Sequence, residues 1–173
     1  LLKAGLLAII LSLAAMLFYI WIRFEWQFSL GAIVAIVHDV VITLGVFSLL
    51  SYEINLSIIA AVLTIVGYSM NDTVVIFDRI RENLRKYSKI SISEISNIST
   101  NETLSRTLVT SITTLLALFS IFIFGGEILK GFSFAMIIGV IIGTYSSIFV
   151  ATPILNYTKV NQKSVLKEDI ENN

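Results

Sequence analysis

Five long apolar stretches set the rhythm of the chain, at 4–22, 30–50, 56–77, 108–124 and 132–155. A hydrocarbon core about 30 Å thick takes about 20 residues of helix at about 1.5 Å each, so each stretch predicts a membrane-crossing helix. The fourth is short, and Thr107 with neighbouring hydroxyl residues extends it. The expected fold class is therefore all-α: a polytopic bundle of five transmembrane helices over 1–157, followed by a cytoplasmic polar tail over 158–173. The connectors 23–29, 51–55 and 125–131 are short, and 78–107 is the long one. Its first part, from Asp78 to Lys86, reads as an amphipathic helix, because Phe77, Ile80 and Leu84 recur at helical spacing with charges on the other face. Residues 88–105, rich in Ser, Asn and Thr, read as turns.

Composition agrees. Of 173 residues 56% are hydrophobic and 14% charged, against about 25% charged in a soluble domain. The net charge of zero gives no basic excess for nucleic acid. With no cysteine and one histidine, His38, neither a thiolate nor an imidazole metal site is expected, and no cofactor. The charges are unevenly placed. Five crossings put Arg23, the six basic residues from Arg79 to Arg106, and Lys159, Lys163 and Lys167 on one side, with only Lys3 and Lys130 on the other. By the positive-inside rule the first side is cytoplasmic, the C-terminus lies there, and the N-terminus of this chain is external. The start at Leu1-Leu2-Lys3 and the odd number of spans predict a piece of a longer protein with at least one earlier span.

Against this background the polar residues inside the spans stand out. Asp39 falls near the middle of the second span, where insertion of a carboxylate costs about 2.5–3.5 kcal/mol or more. Two readings fit it: a structural acid bonded to Thr43 one turn on, or a proton-binding carboxylate facing the bundle interior. Ala32 and Ala35 share its face and favour close helix contact. His38, beside it, reads equally as an interior donor or a relay. Asp72 lies late in the third span, where Thr64, Tyr68, Asn71 and Asp72 form a polar stripe toward the cytoplasmic end. Its nearest basic candidates are Arg79, two turns away, and Arg106 at the mouth of the fourth span. An acid near a movable arginine can switch: it ionises when the arginine is close and takes up a proton when it withdraws. The bland alternatives are an Asp72 solvated by cytoplasmic water and an Arg106 that snorkels to headgroups. In the fifth span Ala135, Gly139, Gly143, Ser147 and Ala151 place a small residue at every fourth position, a groove for a neighbouring helix.

Several runs carry a resemblance. Arg23-Phe24-Glu25-Trp26, Ala35-Ile36-Val37-His38-Asp39-Val40, the run from Gly67 to Asn83, Ser105-Arg106-Thr107-Leu108-Val109-Thr110-Ser111 and Gly143-Thr144-Tyr145-Ser146-Ser147-Ile148 resemble SecF members of the SecD/SecF family, in the family's order, over most of the chain from about Arg23 to Pro153. The resemblance implies half of a transmembrane domain of the resistance-nodulation-division (RND) superfamily. It implies a non-enzymatic role in the bacterial inner membrane, where the proton-motive force assists Sec-dependent protein export. The implied partners are a SecD-like subunit, the Sec translocon channel (SecYEG) with its associated membrane factors, the exported polypeptide and the lipid bilayer. It assigns proton coupling to Asp72 and Arg106, with the His38–Asp39 pair in a less defined role and Thr64, Tyr68, Asn71, Thr73, Asp78 and Arg79 as supporting polar residues. The chain would begin just before the family's second span, without the first span and the external domain.

Three rivals remain at this level. One is half of an RND-type small-solute exporter with the same proton chemistry. Another is an intramembrane aspartyl protease with Asp39 and Asp72 as its dyad; against it, Asp72 follows Ser-Met-Asn rather than Gly-x-Gly, and the expected depths of the two acids differ by about half a leaflet. The third is a scaffold whose polar residues only lock helices together. No nucleotide-binding glycine loop is present to suggest ATP hydrolysis.

Overall fold

The computed structural model describes residues 2–53, 55–87, 90–158 and 160. Within them the chain is a succession of helices: α1 (Leu2–Arg23), α2 (Trp26–Leu49), α3 (Leu56–Lys86), α4 (Ile92–Phe124), α5 (Gly126–Ser146), a π-helical turn (Ser147–Ala151) and α6 (Thr152–Tyr157). Four runs are long and apolar enough to cross a membrane: α2, α3, α4 and the continuous Gly126–Tyr157. The first expected span is helical as α1, whose Ile10–Arg23 portion is a shorter apolar helix. The fold is an all-α, multi-pass membrane bundle. Of the polar tail expected over 158–173, all but Thr158 and Val160 lies outside the described residues, as do Lys89, Lys159, Lys163 and Lys167.

Two connectors differ from their expected form. Residues 92–105 are not turns but the first turns of α4, which runs unbroken for 33 residues. The Ser91 side chain accepts from the Glu94 N–H at 3.3 Å and starts the helix. The Ser and Thr hydroxyls that suggested turns return to their own helix instead: Ser99 donates to the Ile95 carbonyl and Thr103 to the Ser99 carbonyl. The connector expected over 125–131 shrinks to a corner, with α5 starting at Gly126. Gly126 has φ +74°, a backbone setting that costs an L-residue about 1–2 kcal/mol. Gly126→Ala is therefore expected to lower the thermal midpoint of the detergent-solubilised protein by several degrees without loss of helix content. A midpoint equal to wild type would contradict this.

α3 and α5 form the central pair, with α2 and α4 on either side of them and α1 resting against α2 and α3. The small-residue stripe of α5 makes this possible: Ala135, Gly139, Gly143, Ser147 and Ala151 are all buried. A Cβ on Gly139 would fall inside the Ile65 side chain, and one on Gly143 would lie 3.0 Å from Ser69 Cβ. One half of the core gathers Phe24, Phe28 and Phe77 in mutual edge and tilted contacts. The other gathers Phe47, Ile58, Ile65 and Val140. The outer faces of the helices carry exposed Val34, Val37, Val41, Leu116 and Phe149, suited to lipid.

Charged side chains collect at the helix ends. Arg23 reaches Asp78 at 3.0 Å, and Arg79 meets Glu102 at 2.7 Å and Glu82 at 2.6 Å at one end of the bundle. Lys130 pairs with Glu127 at the other. These exposed pairs contribute little stability individually; they mark the levels where the chain leaves the apolar layer.

Candidate functional site

The interior holds two carboxylates, in different surroundings. Asp39 is 1% exposed and lies where α2, α3 and α5 meet. Its Oδ2 accepts from Ser69 Oγ of α3 at 2.5 Å and from Ser146 Oγ of α5 at 2.8 Å. Its Oδ1 faces the neighbouring His38 Nδ1 at 3.0 Å. The expected bond to Thr43 is not formed: Thr43 Oγ1 is buried without a hydrogen-bond partner. Ala32 and Ala35 are buried as the shared face required. His38 is half-buried, its ring stacked on Tyr145, which stacks in turn on Phe149. Directly beyond, Thr73 and Ser147 share a hydrogen bond of 2.8 Å between α3 and the π-helical turn.

Two consecutive serines are buried because α5 is packed against α2, α3 and α4 at once, as the adjacent Ala135, Met136 and Ile137 also show. The π-turn at Ser147–Ala151 widens the ladder there. Both hydroxyls are fully buried, and the Thr152 hydroxyl donates to the Ser147 carbonyl at 2.9 Å.

Asp72 is buried too, but its Oδ2 has no hydrogen-bond partner. α3 and α4 run antiparallel here, with Tyr68 Oη on Thr114 Oγ1 at 3.3 Å, Arg79 on Glu102, and Asn83 Nδ2 on Ser99 Oγ at 2.9 Å. That register sets Thr110 opposite Asp72 and Arg106 one turn closer to the charged end. Arg106 is exposed. Among the described residues no ion pair joins the two. Thr107 Oγ1, next to Arg106 on the same helix, is likewise buried without a partner.

The other sequence-marked residues disperse. Arg79 does not reach toward Asp72, since Glu82 and Glu102 hold it. Asp78 is occupied by Arg23. Thr64 is exposed and donates to the Ala60 carbonyl. Asn71 faces away from α4, into a groove of about 510 Å³ between α1 and α3 that Met16, Tyr19 and Gly67 also line. The polar stripe on α3 thus splits between two neighbours. Ser69 and Ser146 are not among the sequence-marked residues, although both stand inside the runs quoted above, and Ser147 is marked there by its small size alone. A hydroxyl among apolar neighbours was the available signal.

The protease arrangement is not formed. Asp39 meets α3 at Ser69, three residues before Asp72, about 4.5 Å along the helix axis. Yet both Asp39 oxygens are engaged by other groups, and a shared-proton dyad needs one of them free. Among the described residues no cluster of three His, Cys, Asp or Glu side chains is arranged to hold a metal ion.

The profile of the family described as "Protein export membrane protein SecD/SecF, C-terminal" matches residues 1–161. The chain belongs to the SecD/SecF family. Among similar proteins, the "Protein translocase subunit SecF" of Rickettsia bellii is 58% identical over 155 residues, covering 90% of this chain and 51% of that protein. The SecF of Cereibacter sphaeroides is 49% identical over 168 residues, covering 97% of this chain and 52% of that one. This SecD/SecF-family chain therefore spans about half the length of the curated relatives it matches. Among solved structures, SecDF from Thermus thermophilus, titled a translocon-associated membrane protein, superposes with a TM-score of 0.87 at 43% identity, over 90% of this chain and 22% of that one. SecDF in its super-membrane-facing form gives a TM-score of 0.81 at 42% identity, over 92% and 21%.

Proposed function

We propose that this chain is the membrane bundle of a SecF-type subunit that pairs with a SecD-like subunit and uses the proton-motive force to assist Sec-dependent export of polypeptides across the bacterial cytoplasmic membrane. The observation that carries this reading is Asp72, a buried acid with an unpartnered oxygen on α3, with Arg106 one turn from the position facing it on α4, in a bundle superposable on SecDF. A proton arriving from outside neutralises Asp72. Its attraction to Arg106 falls, and α3 and α4 repack along their antiparallel contact. The SecD-like and SecF-like halves then rock against each other, as repeats of secondary transporters do, and move external domains that draw the substrate outward. One charge crossing 100 mV supplies about 2.3 kcal/mol, enough to bias such a two-state motion. The basic end of the bundle faces the cytoplasm in this reading, and the C-terminus with it.

The test uses the full-length protein, co-reconstituted with its SecD-like partner, the translocon channel and the export motor. An ionophore that collapses the proton gradient is expected to remove the contribution of the SecD/SecF pair and leave motor-driven export in place. A contribution that persists without the gradient would refute proton coupling. Failure to co-purify with a SecD-like chain would refute the pairing.

A further inference from the structure

We infer that Asp39 is a positioning residue rather than a carrier of the coupling proton: it clamps α3 to α5 and so fixes the rotation of α3 that presents Asp72 to α4. The inference rests on the reading of Asp72 as the proton site.

Asp39 divides the work between its two oxygens. Both serine hydroxyls donate to Oδ2, while Oδ1 is left to His38 Nδ1. A proton on that second link, held by either Oδ1 or Nδ1, leaves both serine bonds unchanged. The clamp is therefore built to survive a change in the protonation of its own acid. A switch would need the reverse, an oxygen whose bonds break on protonation or one that is open to a proton. Asp72 has an open buried oxygen, and Asp39 has none.

The second observation is what the clamp grips. Ser69 lies three residues ahead of Asp72 on α3, and Ser147 repeats the grip one turn on through Thr73, one residue past Asp72. Two polar ties thus flank Asp72 on the side of α3 facing α2 and α5, while Tyr68, one turn before Asp72, bonds Thr114 of α4. Adjacent residues supply both ties, Ser146 at the end of α5 and Ser147 at the start of the π-turn. Gly143 allows the close approach, with Ser69 directly over it. The titratable groups around Asp39 are few: His38 on α2, Tyr145 on α5 stacked on His38, and Asp72 one turn along α3.

The test compares variants of the full-length protein assembled with its SecD-like partner, reading gradient-driven export and the pH profile of proton flux. Asparagine reproduces the clamp, since its Oδ1 accepts both hydroxyls and its Nδ2 donates to His38 Nδ1. Asp39→Asn is expected to keep most gradient-driven export with an unmoved pH profile, while Asp72→Asn loses it. The double variant Ser69→Ala/Ser146→Ala, which removes only two hydroxyls, is expected to assemble but to lose most of the flux and to shift its pH profile. Asp39→Asn as inactive as Asp72→Asn would overturn the inference by making Asp39 a proton carrier. A serine double variant with wild-type flux and profile would overturn it by removing the positioning role. Full activity of Asp72→Asn is a separate outcome that defeats the underlying reading and the inference with it.

Discussion

Replacing Gly139 with leucine is expected to prevent the bundle from forming. The alpha-hydrogen of Gly139 faces Ile65 of α3, and a Cβ there would overlap Ile65 Cγ1 and Cδ1 and lie 2.8 Å from Cγ2. Both residues are buried in the central helix pair, Ile65 at 1% exposure, so neither can turn toward lipid. Overpacking by single methylene groups already costs about 1–3 kcal/mol, and a whole isobutyl group has to push α3 and α5 apart along their length. The separation would also break the Ser69, Thr73 and Asp39 contacts that span the same interface. The measurement is the yield of monodisperse protein in detergent and its thermal midpoint. Gly139→Ala should be milder, and adding Ile65→Ala should restore part of the loss by vacating the overlapped volume. Wild-type yield and midpoint for Gly139→Leu would mean that the α3–α5 contact is wrongly described.

The second large effect is on transport alone. Asp72→Asn keeps the shape of the side chain, and among the described residues no hydrogen bond of its buried Oδ2 ties helices together, so assembly and stability should match wild type. Gradient-driven export should nevertheless fall to the level seen without a gradient, because an amide neither gains nor loses a proton in this range. Arg106→Lys refines the point. A lysine keeps the charge but not the planar fork of the guanidinium. If Arg106 is repositioned by the charge of Asp72, the lysine variant should be impaired, whereas full activity would assign Arg106 to headgroup anchoring.

How much of this could be read from residues alone depends on distance along the chain. The crossings were legible because a membrane span is a local composition. The α5 contact was legible because Ala135, Gly139, Gly143, Ser147 and Ala151 repeat at one helical period. The start of α4 was legible in principle and was missed: Ser91 and Glu94 have the S-x-x-E spacing of a helix start, but the Ser, Asn and Thr content after it was given more weight. Hydroxyls that bond back to their own helix do not break it, as Ser99 and Thr103 show. The surroundings of Asp39 were not legible. Its partners stand 30 and 107 positions away, on two other helices. The nearby Thr43 was the local choice of partner, and packing overrode it. For Asp72 the acid and its candidate arginine were legible, but the antiparallel register of α3 and α4 that sets them one turn apart was not, nor were the ion pairs that remove Arg79 from contention.

The claim on which the mechanism stands is that Asp72, and not Asp39, is the acid that gains and loses the transported proton. Difference infrared spectroscopy on the full-length protein with its SecD-like partner reads this directly, by following the carbonyl band of a protonated carboxylic acid as the external pH is lowered. The account predicts a band that appears in wild type, persists in Asp39→Asn and is absent in Asp72→Asn. A band that survives in Asp72→Asn and disappears in Asp39→Asn would contradict it.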